Sequence, residues 1–215
     1  MKLVYFNGRG LAETIRLMLA ITETEYEDFR YPLEVIDWKT FKFNRQLFED
    51  DKRSGKLIKS MNKLPFLEDD SHIICQSKSI ERYLANKLGL MGNNLLEGAK
   101  IDSISEIIRD FKTDYQSIRK LDENEKEAGL LKWFSETLVQ KLELLENLVN
   151  ETYSIGKGIS YADIVIYSFI LHFFDDTKSS YNSINNLPNL KSIVDNISNN
   201  ENIKKWIVNR PETPF

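Results

Sequence analysis

The apolar positions of this chain change their period near residue 90. Lys2–Phe6 is a compact run holding Val, Tyr and Phe that stops at the turn-prone Asn7-Gly8-Arg9-Gly10, which predicts a strand. Leu11, Ile15 and Leu19 then recur four apart, the spacing of one helix face. Tyr26–Tyr31 predicts a second strand, ended by Pro32. After a long connection, Leu64–Glu68 and Ser71–Cys75 predict two short strands joined by the acidic turn Asp69-Asp70. Ser77–Leu88 predicts a helix that ends before Gly89. The order β-α-β, connection, β-β-α favours a sheet with helices packed on it.

Beyond the linker Gly89-Leu90-Met91-Gly92-Asn93-Asn94, the strand signal fades. Ile101, Ile104, Ile108, Phe111, Tyr115 and Ile118 repeat at steps of three and four, as do Leu131, Phe134, Leu138, Leu142, Leu145 and Val149. Both runs predict amphipathic helices of an all-α region. Ser160-Tyr161-Ala162-Asp163 precedes the apolar Ile164–Phe174 and has the spacing of a capping box, which gives Asp163 a structural role. Because the helix after it is apolar almost all round, it belongs at the centre of its domain. Asn182–Asn209 predicts short helices and loops. The domain boundaries read this way are 1–90 and 96–215.

Composition narrows the function classes. In 215 residues, 29 Lys and Arg oppose 33 Asp and Glu, a net charge of −4, so there is no basic footprint for nucleic acid. No apolar run reaches the roughly 18–20 residues of a membrane helix, and Met1–Asn7 lacks the apolar stretch of a signal peptide. The single cysteine, Cys75, excludes an internal disulfide, and the reducing cytosol is the default compartment. With two histidines, His72 and His172, the chain offers little for a zinc site. His72 falls in a strand and His172 on the buried helix, where packing is the ordinary role; Cys75 reads as a small buried hydrophobe.

The usual catalytic signatures are missing: there is no G-x-G-x-x-G, phosphate loop, C-x-x-C or G-x-S-x-G. Candidate chemistry lies at the ends of elements. Tyr5 closes the first strand beside a glycine turn, and Lys63-Leu64-Pro65 leads into the third. A cis bond before Pro65 would leave the Leu64 N–H and C=O free to pair with an extended peptide. Gln76-Ser77 opens a helix, where a serine serves as a plain cap or as part of an anion site.

Taken together, these blocks resemble the sigma-class glutathione transferases, the family of the haematopoietic-type glutathione-dependent prostaglandin D synthase. The resemblance rests on Tyr5-Phe6-Asn7-Gly8-Arg9-Gly10-Leu11-Ala12-Glu13-Thr14-Ile15-Arg16, Asp37-Trp38-Lys39-Thr40-Phe41-Lys42, Lys63-Leu64-Pro65-Phe66-Leu67 and Gln76-Ser77-Lys78-Ser79-Ile80-Glu81-Arg82-Tyr83-Leu84. Ser160-Tyr161-Ala162-Asp163 and Trp206-Ile207-Val208-Asn209-Arg210-Pro211 extend it to nearly the whole chain. It implies a thioredoxin-like α/β N-terminal domain, an all-α helical C-terminal domain and a cytoplasmic homodimer. The implied activity is conjugation of reduced glutathione, the co-substrate, to small hydrophobic electrophiles, with no metal. Tyr5 would donate a hydrogen bond to the glutathione sulfur. Trp38, Lys42 and Lys63 would hold the glycine end, Leu64 the cysteinyl backbone, and Gln76 and Ser77 the γ-glutamyl group. Asp110 of the partner subunit would meet the γ-glutamyl amine. Leu11, Lys112, Val165 and Phe169 match the positions of the hydrophobic-substrate pocket.

Several residues depart from the family pattern. Leu11 stands where an arginine often flanks the thiolate. The stretch between Lys42 and Lys63 is longer than usual, with Asp50-Asp51-Lys52-Arg53-Ser54-Gly55 as an expected exposed loop. Glu106, Arg109 and Asp110 occupy the synthase's acidic metal positions, and the arginine argues against a metal. Lys112 sits poorly with a prostaglandin substrate. Two alternatives therefore stay open: a glutathione-dependent prostaglandin-type isomerase, and a non-catalytic binding or scaffold protein of the same fold.

Overall fold

Lys2–Phe6 forms strand β1 in the computed structural model, which describes residues 1–37 and 42–213. Leu3 and Val4 are buried, as expected for a central strand. The chain turns through Asn7–Gly10 and a short 3-10 turn into helix α1, Glu13–Ile21. Strand β2, Glu27–Tyr31, returns parallel to β1, with Tyr5 opposite Arg30 and Phe6 opposite Tyr31. Strands β3, Glu34–Asp37, and β4, Lys42–Asn44, make a separate antiparallel pair. Helix α2, Gln46–Arg53, follows. Strands β5, Phe66–Asp69, and β6, His72–Cys75, complete a sheet of order β2-β1-β5-β6, in which β5 runs antiparallel to both its neighbours. Helix α3 is Ser77–Lys87.

The long connection was expected to carry an exposed loop over 50–55, and it is helical through Arg53. Its exposed residues face solvent, but Phe48 and the following Leu57 are buried with Val4, Tyr31 and Phe66. Burying each such side chain contributes about 1.5–3 kcal/mol. The extra length therefore enlarges this unit's core. Cys75, expected buried, is only half-buried, and its Sγ lies 3.4 Å from the Lys59 carbonyl it donates to.

The second compact unit is Ala85–Lys204. Its helices are α4 (Leu95–Ile118), α5 (Glu123–Lys132), α6 (Leu138–Glu146), α7 (Tyr161–His172), α8 (Thr177–Asn182) and α9 (Pro188–Asn199). A π-type turn over Trp133–Thr137 joins α5 to α6. Helix α7 is buried on all sides and packs on α4 and α9, the central position its apolar sequence implied. The capping box at its start is formed: Asp163 accepts from the Ser160 N–H at 2.7 Å, the Ser160 hydroxyl at 2.6 Å and the Ser154 N–H at 2.6 Å. Burial pushes the Asp163 carboxyl up, and these donors pull it back. His172, expected on the buried helix, ends α7 half-buried with its ring against Tyr167.

Helix α10, Glu201–Asn209, closes the chain. From Lys205 onward the chain belongs to the first unit together with Met1–Leu84. The sequence reading had drawn units of 1–90 and 96–215. Trp206 and Arg210 carry the difference: the indole N–H and the Arg210 guanidinium both donate to the Glu13 carboxylate on α1, at 3.2 and 2.5 Å.

Candidate active site

Sheet register places the chemistry. Val4 lies opposite Phe66 on β5, and Phe66 lies opposite Cys75 on β6. The residues one step beyond these pairs therefore gather at one end of the sheet: Tyr5 at the end of β1, Leu64 and Pro65 before β5, and Gln76 and Ser77 after β6. Neighbouring strands are about 4.8 Å apart, so β1 to β6 spans about 10 Å, the length of roughly three extended residues.

The Tyr5 side chain is almost buried, and its hydroxyl accepts the Leu11 N–H at 3.2 Å. That bond uses an oxygen lone pair and leaves the phenol proton to be given to something else. Burial raises the hydroxyl above the ordinary phenol value, with the Leu11 N–H and the Arg16 charge pulling in the opposite direction. A neutral phenol is the form that can donate. Gly10 lies against this hydroxyl: its φ is +38°, and a β-carbon there would stand 2.7 Å from the Tyr5 oxygen. Gly10→Ala should therefore push Tyr5 aside. For a reaction that uses the Tyr5 hydroxyl, we expect a fall of at least about tenfold in kcat/KM with the helix content intact, because misplacing a group that acts on the substrate by an ångström costs on that order or more. Steady-state kinetics with circular dichroism checks it.

Arg16 on α1 was not among the sequence candidates, yet it builds the floor of this turn. Its side chain is 0% exposed and donates to the Gly8 carbonyl at 2.6 Å. It also pairs with Asp28 at 3.1 Å. Asp28 holds Arg30, and Arg30 reaches Asn7. A sequence signal existed: Glu13 and Arg16 are the charged residues in the apolar run Ala12–Ile21, and they stand three apart on one helix face.

At the other positions, Leu64 precedes a cis peptide bond to Pro65. Among the described residues, no backbone hydrogen bond outside the regular elements ends on the Leu64 N–H or C=O. Lys63 is exposed. Gln76 sits at φ +70°, exposed, and its carbonyl accepts the Ile80 N–H as α3 begins. Lys42 is exposed at the start of β4, opposite Asp37. Trp38 lies outside the described residues.

The second unit holds the remaining candidates. Asp110 is exposed on α4, beside an open groove of about 460 Å³ that Ile107, Phe111, Thr113, Asp114 and Lys141 also line. Arg109 pairs with Glu106 at 2.5 Å. Among the described residues, no three His, Cys, Asp or Glu side chains are grouped to hold a metal. Lys112 places its ammonium 5.1 Å from the Phe173 ring centre. Val165 and Phe169, read from the sequence as pocket lining, are both 0% exposed. Phe169 packs instead on Phe111, Phe173 and Phe174. The reason is the all-round burial of α7, which leaves neither residue a free face.

Comparison with known proteins adds to the geometry. Residues 1–86 match the family described as glutathione S-transferase, N-terminal domain, and residues 109–210 match glutathione S-transferase, C-terminal domain. Glutathione S-transferase 1 of Ascaris suum is 30% identical over 100% of this chain and 98% of its own length. Hematopoietic prostaglandin D synthase of Gallus gallus is 32% identical over 99% of this chain and 97% of its own. A monomeric glutathione S-transferase of the hookworm Necator americanus superposes with a TM-score of 0.78 at 27% identity, covering 100% of this chain and 98% of that one.

Proposed function

The chain belongs to the glutathione S-transferase family, and from that premise we propose that it joins the sulfur of reduced glutathione to small hydrophobic electrophiles through Tyr5. One observation carries the assignment: the register brings Tyr5, Leu64 and Gln76-Ser77 to one sheet end across about 10 Å, the reach of an extended tripeptide. Glutathione lies along that edge. Its cysteinyl backbone pairs with the free N–H and C=O of Leu64. Its γ-glutamyl carboxylate meets Gln76, Ser77 and the start of α3. Its glycine carboxylate meets the exposed cations Lys42 and Lys63, with Trp38 assigned there by family resemblance. The Tyr5 O–H then points its proton at the sulfur and favours the thiolate, the thiol's own proton passing to water. The thiolate attacks the electrophilic carbon, a carbon–sulfur bond forms, and the leaving group departs with the electron pair.

Finer assignments belong to the same proposal. The protein is a sigma-class, cytoplasmic homodimer, and in the dimer Asp110 of the partner subunit meets the γ-glutamyl ammonium. Sedimentation tests that part: a monomer at assay concentration removes Asp110 from the site. Leu11, assigned by family resemblance to the mouth of the electrophile's pocket, is 54% exposed.

Stoichiometry tests the reaction class. With 1-chloro-2,4-dinitrobenzene, each conjugate formed should consume one glutathione over many turnovers. Binding without turnover would leave a scaffold protein. The 32% identity to a prostaglandin D synthase favours one second reading, an isomerase on a prostaglandin-like endoperoxide. In that case product accumulates while glutathione is regenerated.

A further inference from the structure

Residues 45–62 form α2, two turns and the short 3-10 segment Ile58–Ser60, and then run straight into Lys63 and Leu64. The apolar hold on this segment is confined to two side chains. Phe48 and Leu57 are buried, whereas Leu47 is exposed, Ile58 is 70% exposed and Met61 is 74% exposed. At eight residues, α2 is shorter than the roughly 12–15 at which an isolated helix becomes even marginally stable. Its shape therefore depends on being docked.

A polar contact reinforces the docking. The Tyr31 hydroxyl donates to Asp51 Oδ2 at 2.6 Å, and the same oxygen takes the Lys56 ammonium at 2.8 Å. Tyr31 ends β2 opposite Phe6, and its carbonyl accepts the Asn7 N–H at 2.8 Å. The contact thus ties the segment to the strand end next to Tyr5. From Asp51 the backbone bonds continue in steps: Lys56 N–H to the Asp51 carbonyl, Ile58 to Gly55, Ser60 to Leu57, and Lys63 to Ser60. This ladder connects Asp51 to Lys63, the residue before Leu64.

We propose that residues 45–62 are a strap whose docking is coupled to glutathione binding, with Tyr31 and Asp51 as its clasp and as positioning residues for Lys63 and Leu64. The proposal rests on the placement of glutathione at Tyr5, Leu64 and Gln76-Ser77. Neither clasp residue takes part in the chemistry. They act by keeping the binding-competent form populated, since affinity scales with that fraction. Coupling is reciprocal, so glutathione must hold the strap down by the same factor. The exposed Arg45, Lys52, Arg53, Lys56 and Lys59 give trypsin five places to report an open strap.

The test compares wild type, Tyr31→Phe, Asp51→Ala and the double variant, with 1-chloro-2,4-dinitrobenzene as electrophile. Each single change should raise the KM for glutathione by about 3- to 10-fold, with kcat altered by less than about twofold. The double variant should be no worse than the poorer single one, because both break the same bond. Asp51→Asn keeps an acceptor for Tyr31 and should recover part of the loss. Trypsin should cut the strap faster in the variants, and saturating glutathione should slow that cutting. An unchanged KM, a loss confined to kcat, or strap cleavage indifferent to glutathione overturns the proposal. A wild-type protein that never saturates with glutathione would instead refute the placement of the ligand.

Discussion

Tyr5→Phe should raise the thiol pKa of bound glutathione by about one to two units. A hydrogen bond to a charged group contributes about 1.5–3 kcal/mol, and each pKa unit corresponds to 1.36 kcal/mol. A free thiol near pKa 8.5 is only about 3% ionised at pH 7, whereas a two-unit depression raises that to roughly 75%. The rate responds less than the titration. A more acidic thiol is a weaker nucleophile, and a Brønsted slope near 0.45 returns about 8-fold of the roughly 25-fold gain in thiolate. Ionisation alone then accounts for about a threefold fall at pH 7 in the variant, a deficit that closes at about pH 7.6 and reverses above it, because both thiols are then largely ionised and the variant's is the stronger nucleophile. Any loss beyond this is lost positioning of the sulfur and electrophile. Thiolate ultraviolet absorbance across the pH range measures the shift directly. If both proteins titrate together, the Tyr5 hydroxyl is not the sulfur's partner, and the Leu11 N–H that already occupies it becomes the place to look.

The second large effect is on stability. Asp163→Ala removes a buried carboxylate that accepts from two backbone N–H groups and a serine hydroxyl, at the start of the helix on which the second unit is built. Loss of the cap costs about 1 kcal/mol, and each buried donor left without a partner adds about 1–3 kcal/mol. Counting the cap and the two backbone donors, a total of about 3–7 kcal/mol follows, equivalent to roughly 6–28 °C in the melting temperature of a chain this size. Asp163→Asn retains one acceptor oxygen and should lose less. Thermal unfolding followed by circular dichroism decides it, and a loss below about 1 kcal/mol would mean that water replaces the carboxylate at the cap.

The four sheet strands, α1, α3 and α7 were visible in the sequence because period and punctuation agreed. Lys2–Phe6 is a compact apolar run that stops at a glycine turn, and the Ser160–Asp163 box announces its helix. Helix α2 was not visible. In Gln-Leu-Phe-Glu-Asp-Asp-Lys-Arg two adjacent apolar residues set no period, and the burial of Phe48 depends on Tyr31 and Phe6, which are remote in sequence. Strands β3 and β4, four and three residues long, are below the length at which alternation can be read. The site divided in the same way. Tyr5, Leu64 and Gln76-Ser77 stand at element ends that punctuation marks. Arg16 sits mid-helix, where a charge ordinarily implies solvent, and only the Gly8 carbonyl and Asp28 give it an interior role. Val165 and Phe169 show the converse: their positions matched a family pocket, but side chains on a helix enclosed on every side have no surface to offer.

The reach of Trp206 and Arg210 back to Glu13 bears on how the protein is made. The unit that holds Tyr5 begins at the first residue, yet its last pieces follow after an intervening Ala85–Lys204 of about 120 residues. At roughly 5–20 residues per second on the ribosome, Glu13 waits on the order of 10–40 s for the indole and guanidinium that complete its surroundings. During that interval Glu13 lacks Trp206 and Arg210, and Arg16, 3.8 Å away in the finished fold, is the cation nearest to it in sequence. The N-terminal unit is therefore finished last, and a chaperone or protease meets it incomplete for as long as the helical half takes to be synthesised.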